Sequence, residues 1–256
     1  SFVKNESARN LNNGIYPTLS ANGRVQGNIS YGSLDTAMWV AGGENVRVIG
    51  NEMYDSVIGF EITVANNVFV RNNKIHDNTV GVGFFHPNAA GNPPQPVMAN
   101  WRLERNHIYN NNRPNNAPAG SFQADLPLGG GVLFLGVDDA VIKNNRIEGN
   151  GFYGIAMVDF CTAVAVGPPS RNCTNDPPGG ADALNGNNLI SGNRRIGHAL
   201  APPPHPLSLF TAEIIYLDDL LGASPTPGPG VGNCFERNSF SSFTSQPSGV
   251  LPTDGC

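Results

Sequence analysis

Residues that can bind and deprotonate an acidic molecule recur at fixed distances after a repeated asparagine. Lys74 and His76 follow one such asparagine, His107 and Tyr109 follow the next, and Arg146 follows a third. An imidazole titrates near neutral pH and can act as a general base. A lysine or arginine can bind a carboxylate and stabilise the negative charge that develops when the adjacent carbon loses its proton. These five residues are therefore candidate catalytic residues for proton abstraction beside a carboxylate, with a tyrosine as the proton donor.

Two further pairs of residues are candidates for binding a substrate. Tyr54 and Glu148 stand three positions after their asparagines, as two of the candidate catalytic residues do, and a tyrosine ring can stack on a sugar face. Trp39 and Glu61 fall in a second series, beside the insertions of the chain. A solvated face of alternating charges would also explain the first series, and loops that cover an apolar surface would explain the second.

The asparagines in front of these residues recur with a period of about 22 residues, as in "VIGNEM", "VRNNKI" and "LERNHI". The repeated asparagines are Asn28, Asn51, Asn73, Asn106, Asn145 and Asn188. Later spacings are longer because the chain carries insertions that look like loops, at 86–96, 113–127, 161–180, 201–210 and 222–232. A fixed period of this length indicates a structural repeat.

Each period contains three short segments of alternating apolar residues, such as Val68-x-Val70, Ile75 and Val82-x-Phe84. Alternation with a period of two is typical of a half-buried β-strand. Three such strands, joined at glycine and asparagine corners, form one coil of a parallel β-helix, and the coils stack to bury one continuous core. The chain is long enough for about seven or eight coils.

The same geometry explains the repeated asparagine and places the candidate residues on one surface. An asparagine at a corner can donate to and accept from the asparagine of the next coil, which gives a ladder of amides. The residue two positions after it is apolar and points inward, so the residues on either side of it point outward. Neighbours in such an outward column lie roughly 5 Å apart. We therefore expect the candidate catalytic residues to form one compact patch.

Composition excludes several other classes of protein. A charged fraction of 14% and a net charge of -5 argue against a nucleic-acid-binding protein. No apolar run approaches the roughly 20 residues of a membrane span. The four cysteines form no C-x-x-C pair, which disfavours a zinc site. We predict local pairing of Cys161 with Cys173 and of Cys234 with Cys256, which is one of the three possible connectivities. Disulfides would place the chain in an extracellular, periplasmic or cell-surface location.

The sequence predicts no cofactor and no metal site. The adjacent aspartates Asp138 and Asp139, or Asp218 and Asp219, would suit calcium, but no cluster of six to eight oxygen ligands is visible. The abrupt start at "SFVKN" is interpreted as a mature or trimmed chain from which an export signal has been removed. A bare end of the stack would expose a strand edge, so a further coil, a cap or a protein partner is expected to cover it.

The phrases "GENVRVIGNEMYDSVIGFEI" and "NVFVRNNKIHDNTVGVGFF" resemble parallel β-helix repeats of the pectate-lyase-like superfamily. More narrowly, they are similar to exported bacterial right-handed β-helix proteins of unassigned function. We predict an all-β, single-stranded right-handed parallel β-helix as one domain over 1–256. Its coils are clear over 1–195, and 196–256 forms irregular final coils and a disulfide-tied tail. The superfamily includes lyases, hydrolases, uronate epimerases and noncatalytic modules, so the fold alone does not choose an activity.

The sequence thus predicts an extracellular protein that interacts with carbohydrate, its partner being a polysaccharide or surface glycan. One hypothesis is a lyase or epimerase that acts on an acidic polysaccharide. The alternative is a noncatalytic surface, scaffold or protein-interaction module that uses the coils as a rigid platform.

Overall fold

The computed structural model describes residues 1–85, 99–165, 184–197, 204–220, 230–253 and 255–256. Within them, the chain winds into a stack of coils, and a complete coil contributes one strand to each of three parallel sheets. The predicted all-β parallel β-helix is confirmed. The described residues form one sheet of eight strands and two of seven strands, which agrees with the expected seven or eight coils.

The sheets are numbered here in the order in which the chain visits them. Sheet 1 contains β1 (Phe2–Val3), β3 (Arg24–Gln26), β6 (Arg47–Ile49), β9 (Phe69–Arg71), β12 (Trp101–Glu104), β15 (Ala140–Lys143), β18 (Leu189–Ser191) and β21 (Cys234–Glu236). Sheet 2 contains β2 (Glu6–Ala8), β4 (Ile29–Tyr31), β7 (Glu52–Tyr54), β10 (Lys74–His76), β13 (His107–Tyr109), β16 (Arg146–Glu148) and β19 (Arg194–Gly197). Sheet 3 contains β5 (Thr36–Ala41), β8 (Ile58–Thr63), β11 (Val80–Phe85), β14 (Gly130–Leu135), β17 (Tyr153–Val158), β20 (Ala212–Leu217) and β22 (Phe243–Gln246).

The strands bury the apolar residues that the alternation singles out. In sheets 1 and 2 the central residue of a strand points into the stack, as Val48 and Met53 do, and both are fully buried. The six-residue strands of sheet 3 contribute two inward residues each, such as Phe60 and Ile62 in β8. These side chains join into one core that runs through the stack.

A ladder of asparagine side chains runs along the corner between sheets 1 and 2. The amide oxygen of Asn106 accepts hydrogen bonds from the backbone N–H and the side-chain amide of Asn73, both at 2.9 Å. The amide nitrogen of Asn106 donates to the carbonyl of Val70 at 3.1 Å. The same hydrogen bond, from the backbone N–H of one asparagine to the side-chain oxygen of the next, links in order Asn5, Asn28, Asn51, Asn73, Asn106, Asn145, Asn193 and Asn238. The ladder therefore pairs polar backbone groups that the corner removes from water.

Asn188 does not belong to this ladder, and its predicted position is wrong. Asn193 follows Asn145 in the ladder, and its oxygen accepts from the backbone N–H of Asn145 at 3.0 Å. Asn188 lies at the entrance to sheet 1, where it accepts from the N–H of Ala140 at 2.9 Å and donates to the oxygen of Asn233 at 3.0 Å. The segment "NNLISGNRRI" contains Asn188 and Asn193 in similar contexts, and only the strand register distinguishes these two.

Insertions pack on the outer face of sheet 3, which is apolar. Helix α1 (Phe160–Ala165) begins after Asp159, whose carboxylate accepts from the N–H of Thr162 at 2.7 Å. Two short 3-10 segments, Phe122–Asp125 and Pro206–Phe210, belong to the predicted insertions 113–127 and 201–210. Other predicted insertion residues lie outside the described residues, at 86–96, 166–180, 201–203 and 222–229.

The C-terminal tail closes over the last coil. Cys234 and Cys256 form the predicted disulfide. Leu251 packs against the interior, and the carbonyl of Pro252 accepts from the N–H of Phe235 at 3.0 Å. The tail therefore covers part of the apolar end of the stack.

Two expectations stay predictions. The bridge between Cys161 and Cys173 involves a residue outside the described part of the chain. The assignment of 1–256 to a single domain likewise includes segments that the structure does not describe.

Replacing Asn106 by alanine should lower the free energy of unfolding by about 3 kcal/mol, because it leaves buried backbone groups without partners. Denaturant unfolding followed by circular dichroism measures this change. Asn12→Ala is the matched control, since the Asn12 amide is exposed and, within the described part of the chain, accepts only from Asn13. The control should change stability by less than about 0.5 kcal/mol. Equal unfolding midpoints for the two variants would show that the ladder does not stabilise the corner.

Candidate functional site

The outer face of sheet 2 carries the five candidate catalytic residues. The strand register places Lys74 beside His107 and His107 beside Arg146 in one column. The adjacent column places His76 beside Tyr109. That column also contains Tyr31, Tyr54 and Glu148. The predicted register of these residues is confirmed, whereas their chemical roles stay proposals.

Flat rings in the second column stack on one another along the helix axis. The ring centroids are 4.8 Å apart for Tyr31 and Tyr54, 5.4 Å for Tyr54 and His76, and 4.7 Å for His76 and Tyr109. The planes differ by at most 15°. Because each inner ring has a neighbour on both faces, only ring edges meet solvent there. This corrects the expectation that the ring of Tyr54 stacks on a sugar.

Both histidines on this face contact carboxylates. Nδ1 of His76 lies 2.7 Å from Asp77 Oδ2, and its Nε2 lies 3.3 Å from Glu52 Oε1. Nε2 of His107 lies 2.8 Å from Glu148 Oε1. A general base needs a ring nitrogen that faces the proton to be removed. In this arrangement both nitrogens of His76 already have partners.

The predicted cations on this face are paired as well. Nζ of Lys74 lies 3.8 Å from Glu52 Oε1, and a guanidinium nitrogen of Arg146 lies 2.6 Å from Glu148 Oε1. Burial opposes ionisation of Glu148, but the hydrogen bonds and charges of Arg146 and His107 outweigh it and lower the pKa. Burial, reinforced by nearby carboxylates, raises the pKa of Tyr109, so its phenol stays protonated and remains a donor. Much of the charge on this face is thus neutralised within the protein.

Four arginines converge at one end of this face, three of which the sequence reasoning missed. Arg105, Arg146, Arg194 and Arg195 line an open hollow of about 560 Å³, whose floor includes the ladder residue Asn145. Arg194 pairs in register with Arg146 on the neighbouring strand, and Arg105 lies at the corner between sheets 1 and 2. Arg195 lies 3.7 Å from Glu148. Among the described residues, Arg105 and Arg194 have no carboxylate within ion-pair distance.

The sequence offers two phrases that fit the repeat at this coil, and only one of them places Arg194 on the outer face. The phrase "GNRRI" follows the same pattern as the other repeats and contains the true ladder asparagine, Asn193. Asn188 is the repeated asparagine of this coil in the sequence-based prediction, so the outward residue after it would be Leu189 instead of Arg194. Leu189 in fact belongs to sheet 1.

The second predicted face lies on sheet 3, where the register places Trp39 beside Glu61. Glu61 is fully buried. Its carboxylate accepts from the hydroxyls of Thr36 at 2.7 Å and Thr63 at 3.1 Å. Trp39 is half-buried, stacks on Tyr16 with centroids 4.5 Å apart, and donates its indole N–H to Thr63. This corrects the expectation that the carboxylate of Glu61 meets a substrate at the surface.

The surroundings of Glu61 alter its titration. Burial, reinforced by the nearby charge of Asp35, raises the pKa of Glu61 from 4.5 to about 8. Burial also raises the pKa of Asp35 to about 6. The folded state therefore holds these protons more tightly than the unfolded state, and folding stability declines as pH rises between about 4.5 and about 8.

Replacing Glu61 by glutamine should flatten this decline, because glutamine does not ionise. The free energy of unfolding of the variant, relative to that of the wild-type protein, should therefore rise between about pH 5 and about pH 8. Urea unfolding across this range measures it, with Glu44→Gln as an exposed control that should follow the wild-type curve. A constant difference across the range would contradict the assignment.

The described residues contain neither a metal-binding cluster nor a membrane-spanning helix. In the described ranges, no group of three or more His, Cys, Asp or Glu side chains is arranged to hold a metal ion. No helix in that part of the chain is long and apolar enough to cross a membrane.

Comparisons with known proteins agree with the stacked coils. The family model described as a right-handed β-helix region matches residues 1–94. No curated protein matches the chain in sequence. A solved structure, a double mutant of the periplasmic alginate epimerase AlgG, matches with a TM-score of 0.59 and 16% identity over 94% of this chain and 46% of that one. This chain thus corresponds to less than half of the epimerase, and a likeness at such identity shows the fold. With three parallel sheets stacked coil upon coil, these matches identify the chain as a right-handed parallel β-helix repeat protein.

Proposed function

We propose that the protein binds an acidic polysaccharide through the arginines at the corner between sheets 1 and 2. The observation that supports this is the hollow lined by Arg105, Arg146, Arg194 and Arg195. A guanidinium presents a planar fork of donors that matches a carboxylate. Since Arg105 and Arg194 have no carboxylate partner among the described residues, a ligand can supply one.

The geometry favours an extended ligand over a single small anion. Arg146 and Arg194 stand on adjacent strands, so their backbones are roughly 4.8 Å apart along the stack. The remaining polar residues of sheet 2 continue from this point toward Lys74. A polymer with repeated carboxylates can contact several of these positions at once. The structural neighbour is an epimerase of one polysaccharide, alginate.

Binding is supported better than catalysis on this face. The nitrogens of His76 and the cations Lys74 and Arg146 already contact carboxylates of the protein. One observation supports a lyase or epimerase as the second candidate function. The rings of His107 and Tyr109 lie 4.1 Å apart, which puts an imidazole beside a protonated phenol, as elimination or epimerisation requires.

An extracellular, periplasmic or cell-surface location belongs to the same proposal. The disulfide between Cys234 and Cys256 fits a compartment in which thiols are oxidised. Surface and secreted polysaccharides are encountered there.

The double variant Arg105→Ala/Arg194→Ala should weaken binding of alginate or polygalacturonate about a hundredfold at low salt. Each arginine should account for about a tenfold loss of affinity, since a hydrogen bond to a charged group contributes about 1.5–3 kcal/mol. Calorimetric titration measures the affinity, with dextran as the neutral polymer. Arg24→Ala/Arg47→Ala is the matched control, because it removes two exposed, register-paired arginines from the other end of the stack.

An equal loss in both double variants would indicate general charge attraction and contradict the proposed site. Absence of wild-type binding to any acidic polymer would favour a scaffold role. The same polymers report catalysis, since a lyase yields unsaturated uronate that absorbs in the ultraviolet and an epimerase changes the uronate composition seen by NMR. Loss of either product in His107→Gln, with binding retained, would support the second candidate.

A further inference from the structure

Strand β19 (Arg194–Gly197) contains one residue more than β16 (Arg146–Glu148), the strand beside it. The first and last residues of the two strands pair with each other, so four residues of β19 face three of β16. Arg195 is the extra residue, because Ile196 takes the inward position and is buried in the core. A bulge of this kind changes the direction of a side chain. Arg194 and Arg195 therefore both line the arginine hollow, although they are consecutive.

The backbone of Arg195 is strained. Its φ of 53° lies in the left-handed region, which disfavours any residue that has a Cβ atom. The other non-glycine residues with this geometry lie between strands, and in the described part of the chain Arg195 alone has it inside a strand. Strained residues are concentrated at ligand-binding and catalytic sites. The bulge therefore indicates a function for the guanidinium that it directs outward.

Arg195 separates the arginine hollow from a second open hollow of about 400 Å³. The second hollow adjoins the end of β19 that faces sheet 3, since its lining includes Glu148 at the end of β16 and Glu213 in β20. The side chain of Arg195 lines both hollows and is 69% exposed, so a ligand can reach it from either side. One extended molecule can therefore occupy the two hollows together.

The wall of the second hollow is held in place by hydrogen bonds of the last coil. The carbonyl of Ser239 accepts from the N–H of Ile196 at 3.0 Å. The buried carboxylate of Glu213 accepts from the hydroxyl of Ser241 at 2.9 Å. Phe240, which stands between the two serines, is thus fixed at both sides. A hollow that is formed before binding loses little entropy when a ligand enters.

The charges around the second hollow differ from those of the first. Two carboxylates, Glu148 and Glu213, line it against the single guanidinium of Arg195. A carboxylate of the ligand would be repelled by both. The rest of the lining includes two serines and Phe240, which is 36% exposed. Hydroxyl groups and an aromatic surface suit an uncharged sugar, whose hydroxyls form hydrogen bonds and whose C–H face packs on a ring.

We propose that the second hollow is a subsite for a neutral sugar that adjoins the acidic sugar bound by the arginines. The inference rests on the proposed binding of an acidic polysaccharide, and it narrows the ligand to a polymer in which uronates neighbour neutral sugars. Arg195 binds the carboxylate at the boundary between the two subsites, and Phe240 packs on the neutral ring. A polymer of uronates alone places a carboxylate beside Glu148 and Glu213, which oppose it.

Oligosaccharides of hyaluronan and of galacturonan with equal numbers of carboxylates are suitable probes, because only hyaluronan alternates its uronates with a neutral sugar. Calorimetric titration should show that the wild-type protein binds the hyaluronan probe about fivefold to tenfold more tightly. Phe240→Ala should weaken hyaluronan binding about fivefold and galacturonan binding less than twofold, since an apolar contact with the neutral ring is lost. Phe2→Ala is the matched control, because it removes an exposed phenylalanine from the other end of the stack, and it should change neither affinity.

Ser239→Arg tests the charge argument at an exposed position, and it decides the question if Phe240→Ala does not fold. An added cation in the second hollow should raise the affinity for galacturonan more than that for hyaluronan and so reduce the preference. Equal wild-type affinities for the two probes, or an equal loss of both in Phe240→Ala, would overturn the neutral subsite and leave the arginine site in place. Failure of Arg105→Ala/Arg194→Ala to weaken either probe would overturn the arginine site and the subsite together.

Discussion

The hydrogen bonds between asparagine side chains at the corner of sheets 1 and 2 are the contacts on which the other surfaces depend. Each amide pairs backbone groups of the preceding coil, as Asn106 does with the N–H of Asn73 and the carbonyl of Val70. The corner is buried, so water cannot supply these bonds. Because a slip of one residue would exchange the inner and outer faces of a strand, a fixed corner also fixes which side chains share a surface.

Once the register is fixed, the types of side chain that become neighbours on sheet 2 decide whether they stack, form an ion pair or repel one another. Tyr54 and His76 are flat, and strands roughly 4.8 Å apart bring their rings into a stack. Glu148 and Arg146 carry opposite charges and form an ion pair. Arg146 and Arg194 carry the same charge, and their pairing concentrates positive charge at the surface. The same strand register therefore pairs most charged side chains of sheet 2 with one another. At the end of the sheet that carries Arg146 and Arg194, it leaves positive charge available to an anion.

The outer faces of sheets 2 and 3 are buried to different degrees, and the ionisation of their polar side chains differs for that reason. The face of sheet 2 remains open to solvent, so its ion pairs are screened and each contributes little to stability. The outer face of sheet 3 is covered, and its polar groups experience desolvation instead. The raised pKa values of Glu61 and Tyr153 have this common cause. Polar recognition of an acidic polymer therefore suits the open face of sheet 2 better than the covered face of sheet 3.

The sequence by itself determined the coil, its three strands and the inward and outward residues, because the repeat and the alternation are properties of the backbone that are visible along the chain. It placed His76 beside Tyr109 and His107 beside Arg146 correctly for that reason. Only the tertiary structure decided that Asn193 rather than Asn188 continues the ladder, that Glu61 is buried and that Arg105 joins Arg194 at one hollow. These outcomes depend on partners many residues away and on how irregular insertions pack, and no local pattern encodes either.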